Sequence, residues 1–165
     1  MPVIAVLHGY CYGGGLQLAL AADFRIATPD CELSVMESKW GLIPDMTGTV
    51  TLRELVPMDV AKELAMTGRR FDAVEAKTLH LVTQVAEQPE QAARALADAI
   101  LTRSPDAVSA TKALFHSTRH AAEDQAFDRE SSLQFKLLRG RNQGEAMAAN
   151  LKKREPRFRP RQRDY

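Results

Sequence analysis

The chain has 165 residues, of which 45% are hydrophobic and 26% charged, values of an ordinary globular protein and far from those of disordered chains. That length allows one compact core and hardly two. With 22 Lys and Arg against 21 Asp and Glu, the net charge of +1 excludes a general polyanion binder such as a nucleic-acid protein.

Residues 3–7 are apolar on both faces and stop at Gly9, which predicts a central, parallel strand. The run begins at once, without lead-in and without the basic region of a signal peptide, so further chain upstream is expected. Gly13, Gly14 and Gly15 then open a buried, Leu- and Ala-rich helix over 16–22. Strands are expected at 24–27 and 32–35, separated by the turn signal Thr28-Pro29-Asp30. A loop over 41–48 leads into helices over 49–56 and 59–66, the second closed by Gly68. Asp72 with Glu75 resembles a capping box and starts a short helix through 79, followed by a strand over 81–85. Beyond Pro89 the spacing predicts helices over 89–103, 106–118, 123–139 and 142–154, the last stopped at Pro156. The expected class is therefore α/β, with an α/β layer over 1–88 and a helical region over 89–165.

No apolar stretch approaches the roughly 18 to 20 residues that span a bilayer, so no membrane partner is expected. Cys11 and Cys31 match neither a disulfide scaffold nor a zinc site, and a reducing, cytoplasmic setting fits them best. No basic residue adjoins Cys11 to lower its pKa, so a nucleophilic thiol is not expected. His116 and His120 are four apart on one helix but lack a third ligand, and no metal is assigned. The segment 152–165 holds seven basic and two acidic residues with Phe158 and Tyr165 interleaved; attraction of anionic phosphates or plain solubility explains it better than RNA contact.

Two features carry chemistry. Glycines at a helix start leave backbone N–H groups unhindered and unpaired, so the turn from Gly9 to Gly15 could hold an oxyanion. The order fits neither G-x-G-x-x-G nor a P-loop, and a tight crossover needing glycine only for packing stays open. The second is the segment 36–45, where Glu37 and Asp45 bracket apolar residues. Beside Val35, Met36 and Trp40, desolvation makes a carboxylate a better proton acceptor. Alternatively Glu37 pairs with Lys39 or faces water, while Asp45 caps the helix beginning near Thr47.

Taken together, Pro2-Val3-Ile4-Ala5, His8-Gly9-Tyr10-Cys11-Tyr12-Gly13-Gly14-Gly15, Ala22-Asp23 and Glu37 with Gly41-Leu42-Ile43-Pro44 resemble the crotonase superfamily of enoyl-CoA hydratases and isomerases. Thr67-Gly68, Asp72 to Ala76, Leu81-Val82 and the segment from Glu145 to Phe158 extend the resemblance over essentially the whole chain. It implies a crotonase-like superhelix of ββα turns, here the C-terminal part of it, with a helical region that assembles homotrimers or homohexamers. The substrate it implies is an acyl-CoA thioester, with coenzyme A as part of the substrate and no separate cofactor.

In that family two backbone N–H groups hold the thioester oxygen; Gly14 matches one donor, and the other comes from an upstream motif outside this chain. The matching catalytic positions are Gly14, Gln17, Glu37 and Asp45, and substrate contact is expected from Tyr10, Cys11, Gly13, Trp40 and Pro44. Hydratases carry glutamate at both the Gln17 and Glu37 positions. Gln17 cannot accept a proton, whereas a double-bond isomerase needs only one base, so isomerisation through Glu37 moves ahead of hydration. Asp45 matches an aspartate of the dienoyl-CoA isomerase branch. A hydratase, or a non-catalytic fragment supplying a CoA-binding or oligomerisation surface, remains the alternative. His80 stands where the family has glycine, and a positive φ there would cost roughly 1 kcal/mol.

Overall fold

The computed structural model describes residues 1–161; Tyr165, read above beside Phe158, lies outside them. Two compact units are present, Val3–Ala95 and the chain from Leu96 onward together with Met1 and Pro2. The boundary falls within a helix, seven residues past the one expected at 88.

In the first unit, β1 (Ile4–Leu7), β3 (Phe24–Ala27) and β6 (Gln84–Val85) form a parallel sheet, with Ile4 opposite Phe24 and Ile26 opposite Gln84. A second sheet pairs β2 (Tyr10–Tyr12) parallel with β4 (Glu32–Ser34), and β4 antiparallel with β5 (Arg70–Asp72). The chain thus runs β1 in one sheet, β2 in the other, helix α1 (Gly14–Leu20), then β3 and β4 back in the two sheets, which is one full ββα turn. Gly9, at φ 60, makes the switch between the sheets, a left-handed conformation that costs glycine nothing, and its carbonyl accepts Glu32 N at 2.7 Å. The core between these layers centres on Leu16, Leu33, Leu64 and Leu81, all fully buried.

A 3-10 helix (Glu37–Trp40) follows β4, then helices α2 (Gly48–Leu55), α3 (Met58–Thr67) and α4 (Ala73–Thr78). Gly68 ends α3 in the left-handed conformation, and Asp72 caps α4 by accepting Glu75 N at 2.7 Å. Helix α5 (Pro89–Leu101) leads to α6 (Pro105–Thr118), α7 (Glu123–Leu138) and α8 (Arg141–Leu151). In the second unit buried Asn142 donates to Asp106 at 2.9 Å and accepts Arg159 N at 2.8 Å, joining α6, α8 and the segment beyond.

Several expectations need correction. The glycine-flanked stretch read as a turn contains β2, and β5 and the 3-10 helix were not expected. The strand over 81–85 is only Gln84–Val85, because Leu81 N and Val82 N both bond back to Ala76 O and wrap the end of α4. His80 has φ 61, so the non-glycine residue there does stand in left-handed backbone.

Candidate active site

The turn after β2 is fixed at both ends: Gly13 N donates to Ser34 O at 2.9 Å, and Gly13 O accepts Gln17 N at 3.0 Å. Gly13 has φ 50, and a Cβ there would stand 3.4 Å from Glu37 Oε1, so glycine is required by conformation and keeps space beside the carboxylate. Gly14 begins α1, where a backbone N–H has no intrahelical acceptor. A Cβ on Gly14 would meet Met46 Sδ at 2.7 Å. The turn is therefore in close contact with two later segments, and a packing role and a chemical role for its glycines coexist.

Glu37 opens the 3-10 helix and is 8% exposed. Gln17 Nε2 donates to its Oε1, while its Oε2 is buried with no hydrogen-bond partner among the described residues. The alternative of a water-facing Glu37 therefore does not hold. Such an uncompensated oxygen is costly in a structure unless a proton or a ligand meets it. Asp45 is exposed, and no side chain caps α2, so the helix-capping alternative fails as well.

Glu37, Asp45, Gly13, Gly14 and Trp40 line one cleft of about 360 Å³. Gln17 stands behind it, buried, with Oε1 accepting Met46 N at 2.8 Å and Gly48 N at 2.9 Å. Pro44 lies beside Gln17: a Cβ placed on Gly48 would stand 2.6 Å from Gln17 Oε1 and 3.0 Å from Pro44 Cβ.

Tyr10, Cys11 and Pro44, expected at the substrate, are not among the residues that line this cleft. Strand alternation sends Cys11 into the core, where burial and then the nearby Cys31 push its thiol up to about 11, which agrees with an inert thiol. Tyr10 is 77% exposed, its ring 5.4 Å from that of Tyr12. The sequence reading missed Tyr12, Met36, Leu42 and Met46, which complete the wall. Period-two alternation over Tyr10–Tyr12 is the signal that would have separated Tyr12 from Cys11; of the other three only Leu42 lies between the two acids, with Met36 and Met46 just outside them. Tyr12 is held by donating its hydroxyl to Glu32, with Arg70 5.4 Å from the centre of its ring. The cleft thus presents an apolar wall, two carboxylates and a helix-start N–H, an arrangement able to move a proton beside a developing oxyanion.

Among known proteins, the model of a family described as enoyl-CoA hydratase/isomerase matches residues 1–161. A carnitinyl-CoA dehydratase of Salmonella typhi is 37% identical over 128 residues, 76% of this chain and 49% of that protein. The chain spans about half the length of the curated relatives it matches. An enoyl-CoA hydratase from Mycobacterium tuberculosis H37Rv superposes with a TM-score of 0.92 at 35% identity, over 96% of this chain and 64% of that one. An enoyl-CoA hydratase from Polaromonas sp. JS666 gives 0.91 at 34%, over 96% and 62%. With its interleaved sheets, its glycine turn and a family match along the whole described chain, this protein belongs to the enoyl-CoA hydratase/isomerase family of the crotonase superfamily.

Proposed function

We propose that the cleft isomerises an unsaturated acyl-CoA thioester, with Glu37 as its single base. The observation that carries this is Glu37 itself, a buried carboxylate in the cleft wall with Oε1 occupied by Gln17 and Oε2 uncommitted. With a 3-enoyl thioester, Oε2 takes a proton from C2, and the electron pair moves toward the thioester oxygen to form a dienolate. The Gly14 N–H stabilises that oxygen as charge develops. Return of the proton to C4 gives the 2-enoyl product, so nothing is added or lost. Asp45, in the lining of the same cleft, assists the transfer between the two carbons. Tyr12, Met36, Trp40 and Leu42 supply the apolar wall that receives the acyl chain.

A second reading, addition or removal of water, is favoured by the names of the relatives, a carnitinyl-CoA dehydratase and enoyl-CoA hydratases. Mass separates the two, because isomerisation leaves it unchanged whereas hydration adds one water. The purified protein given a 3-enoyl-CoA is expected to yield the 2-enoyl isomer, and Glu37→Gln to lower turnover about 10²- to 10⁴-fold. Rapid hydration of a 2-enoyl-CoA with Gln17 intact would overturn the isomerase assignment, and binding without turnover would make the cleft a CoA-binding surface. We also propose assembly as a homotrimer or homohexamer through the helical region, a reading supported by exposed Phe115, Phe127, Phe135 and Leu138. Light scattering in solution tests it, and a monomer across the working concentration range would remove it.

A further inference from the structure

One polar side chain behind the wall of the cleft belongs neither to the cavity surface nor to the apolar core. Gln17 is 1% exposed, yet its amide bonds two segments distant from it in sequence. Oε1 accepts the N–H groups of Met46 and Gly48, at 2.8 and 2.9 Å. Those two donors settle the orientation of the amide, because the oxygen must face them and Nε2 must face Glu37. The carboxylate is thereby made asymmetric: Oε1 receives an N–H, and Oε2 receives none.

The segment that meets Gln17 carries two further marks. Thr47, between the two donors, has φ 70, a left-handed conformation that a β-branched residue adopts at a cost of roughly 1 to 2 kcal/mol. A left-handed residue is the geometry in which neighbouring N–H groups converge on one acceptor. At Gly48 a Cβ would stand 2.6 Å from Gln17 Oε1 and 3.0 Å from Pro44 Cβ. A strained threonine and a bare glycine thus both accommodate the same amide oxygen, and such strain persists only where the surroundings over-determine it.

From this geometry we infer that Gln17 is a positioning residue, which selects Oε2 of Glu37 as the proton-accepting atom and ties the 44–48 loop, with Asp45, to that carboxylate. The inference rests on the proposal that Glu37 is the base. Gln17 touches no reacting atom; it acts by keeping the carboxyl from rotating and by holding both acids in one frame.

Two variants test it. Gln17→Met keeps the length of the side chain and removes all three hydrogen bonds; Gly48→Ala keeps Gln17 but drives its amide aside, and serves if the first variant does not fold. In the purified protein each is expected to lower isomerase kcat per folded site about 10- to 100-fold, with KM moved less than about threefold. Amide hydrogen exchange at Met46 and Gly48 is expected to speed up about tenfold or more, while exchange in the β1–β3 sheet stays unchanged. Unchanged kcat per folded site in a folded variant, with the loss confined to Tm, would overturn the inference and leave Gln17 a packing residue. Exchange is read without substrate. Faster exchange in the variants of a protein whose wild type has no isomerase turnover would therefore support the clamp and overturn the isomerase reading alone.

Discussion

The two units bury their apolar side chains to very different degrees. In Val3–Ala95, Leu16, Leu33, Leu64 and Leu81 are completely buried around the interleaved sheets. From Leu96 onward the buried apolar residues among those described are only Ala110, Leu133 and Ala149, whereas Phe115, Phe127, Phe135, Leu138 and Met147 stay exposed. The second unit relies instead on polar contacts, among them the Asp106–Asn142–Arg159 bonds. Such bonds specify geometry while adding little net stability, since unfolding exchanges them for bonds to water. Every described residue of the candidate site lies in the well-packed unit. A constellation that must hold two acids and a backbone donor in register needs a frame that does not yield, and close packing supplies it.

The largest test of this contrast is a pair of truncations. Leu64→Ala, at a fully buried site, is expected to cost about 2 to 5 kcal/mol in urea unfolding. Phe127→Ala, at a residue 61% exposed within the single chain, is expected to cost under about 0.5 kcal/mol when unfolding is followed at a concentration where the protein is monomeric. Equal losses in the monomer would break the contrast.

A smaller effect is expected at His80, whose φ of 61 closes the end of α4. His80→Gly should stabilise the first unit by up to about 1 kcal/mol, because the left-handed conformation costs glycine nothing. A loss of stability in that variant would mean that the imidazole makes contacts worth more than the strain.

The smallest effect concerns acid and the second unit. Arg154, bonded to both oxygens of Glu145, and then the Arg157 N–H hold that carboxyl down at about 2, from an ordinary 4.5. A carboxyl depressed in the folded state contributes stability above its unfolded value and loses it as pH falls through the folded one. The Tm difference between wild type and Glu145→Gln is therefore expected to shrink as pH drops from about 4.5 to about 2. The pair is on the surface and the shift in Tm is expected to be modest. A difference that does not vary with pH would sink the assignment.

Much of the fold was legible because its signals are local. The β-branched run at Ile4–Leu7, the Asp72 cap, the Gly68 stop and the four C-terminal helices each follow from neighbouring residues. The three-residue strands Tyr10–Tyr12 and Arg70–Asp72 were not legible, because so short a strand exists only through its partners. At the site, the glycine turn and Glu37 stood out by residue type and surroundings. Met46 did not, since nothing near it in sequence says that its sulfur lies over Gly14.

The amino-acid sequence by itself determined the α/β class, the α-helices to within a few residues, the glycine turn and the pair of acids. These depend on periodicity, caps and backbone freedom within a few residues. Only the tertiary structure decided that Gln17 meets Glu37, twenty positions away, and that the Met46 and Gly48 N–H groups close on the same amide. Those bonds form between segments that no local preference brings together; burial of the core places them, and the low dielectric around buried groups then makes each one matter.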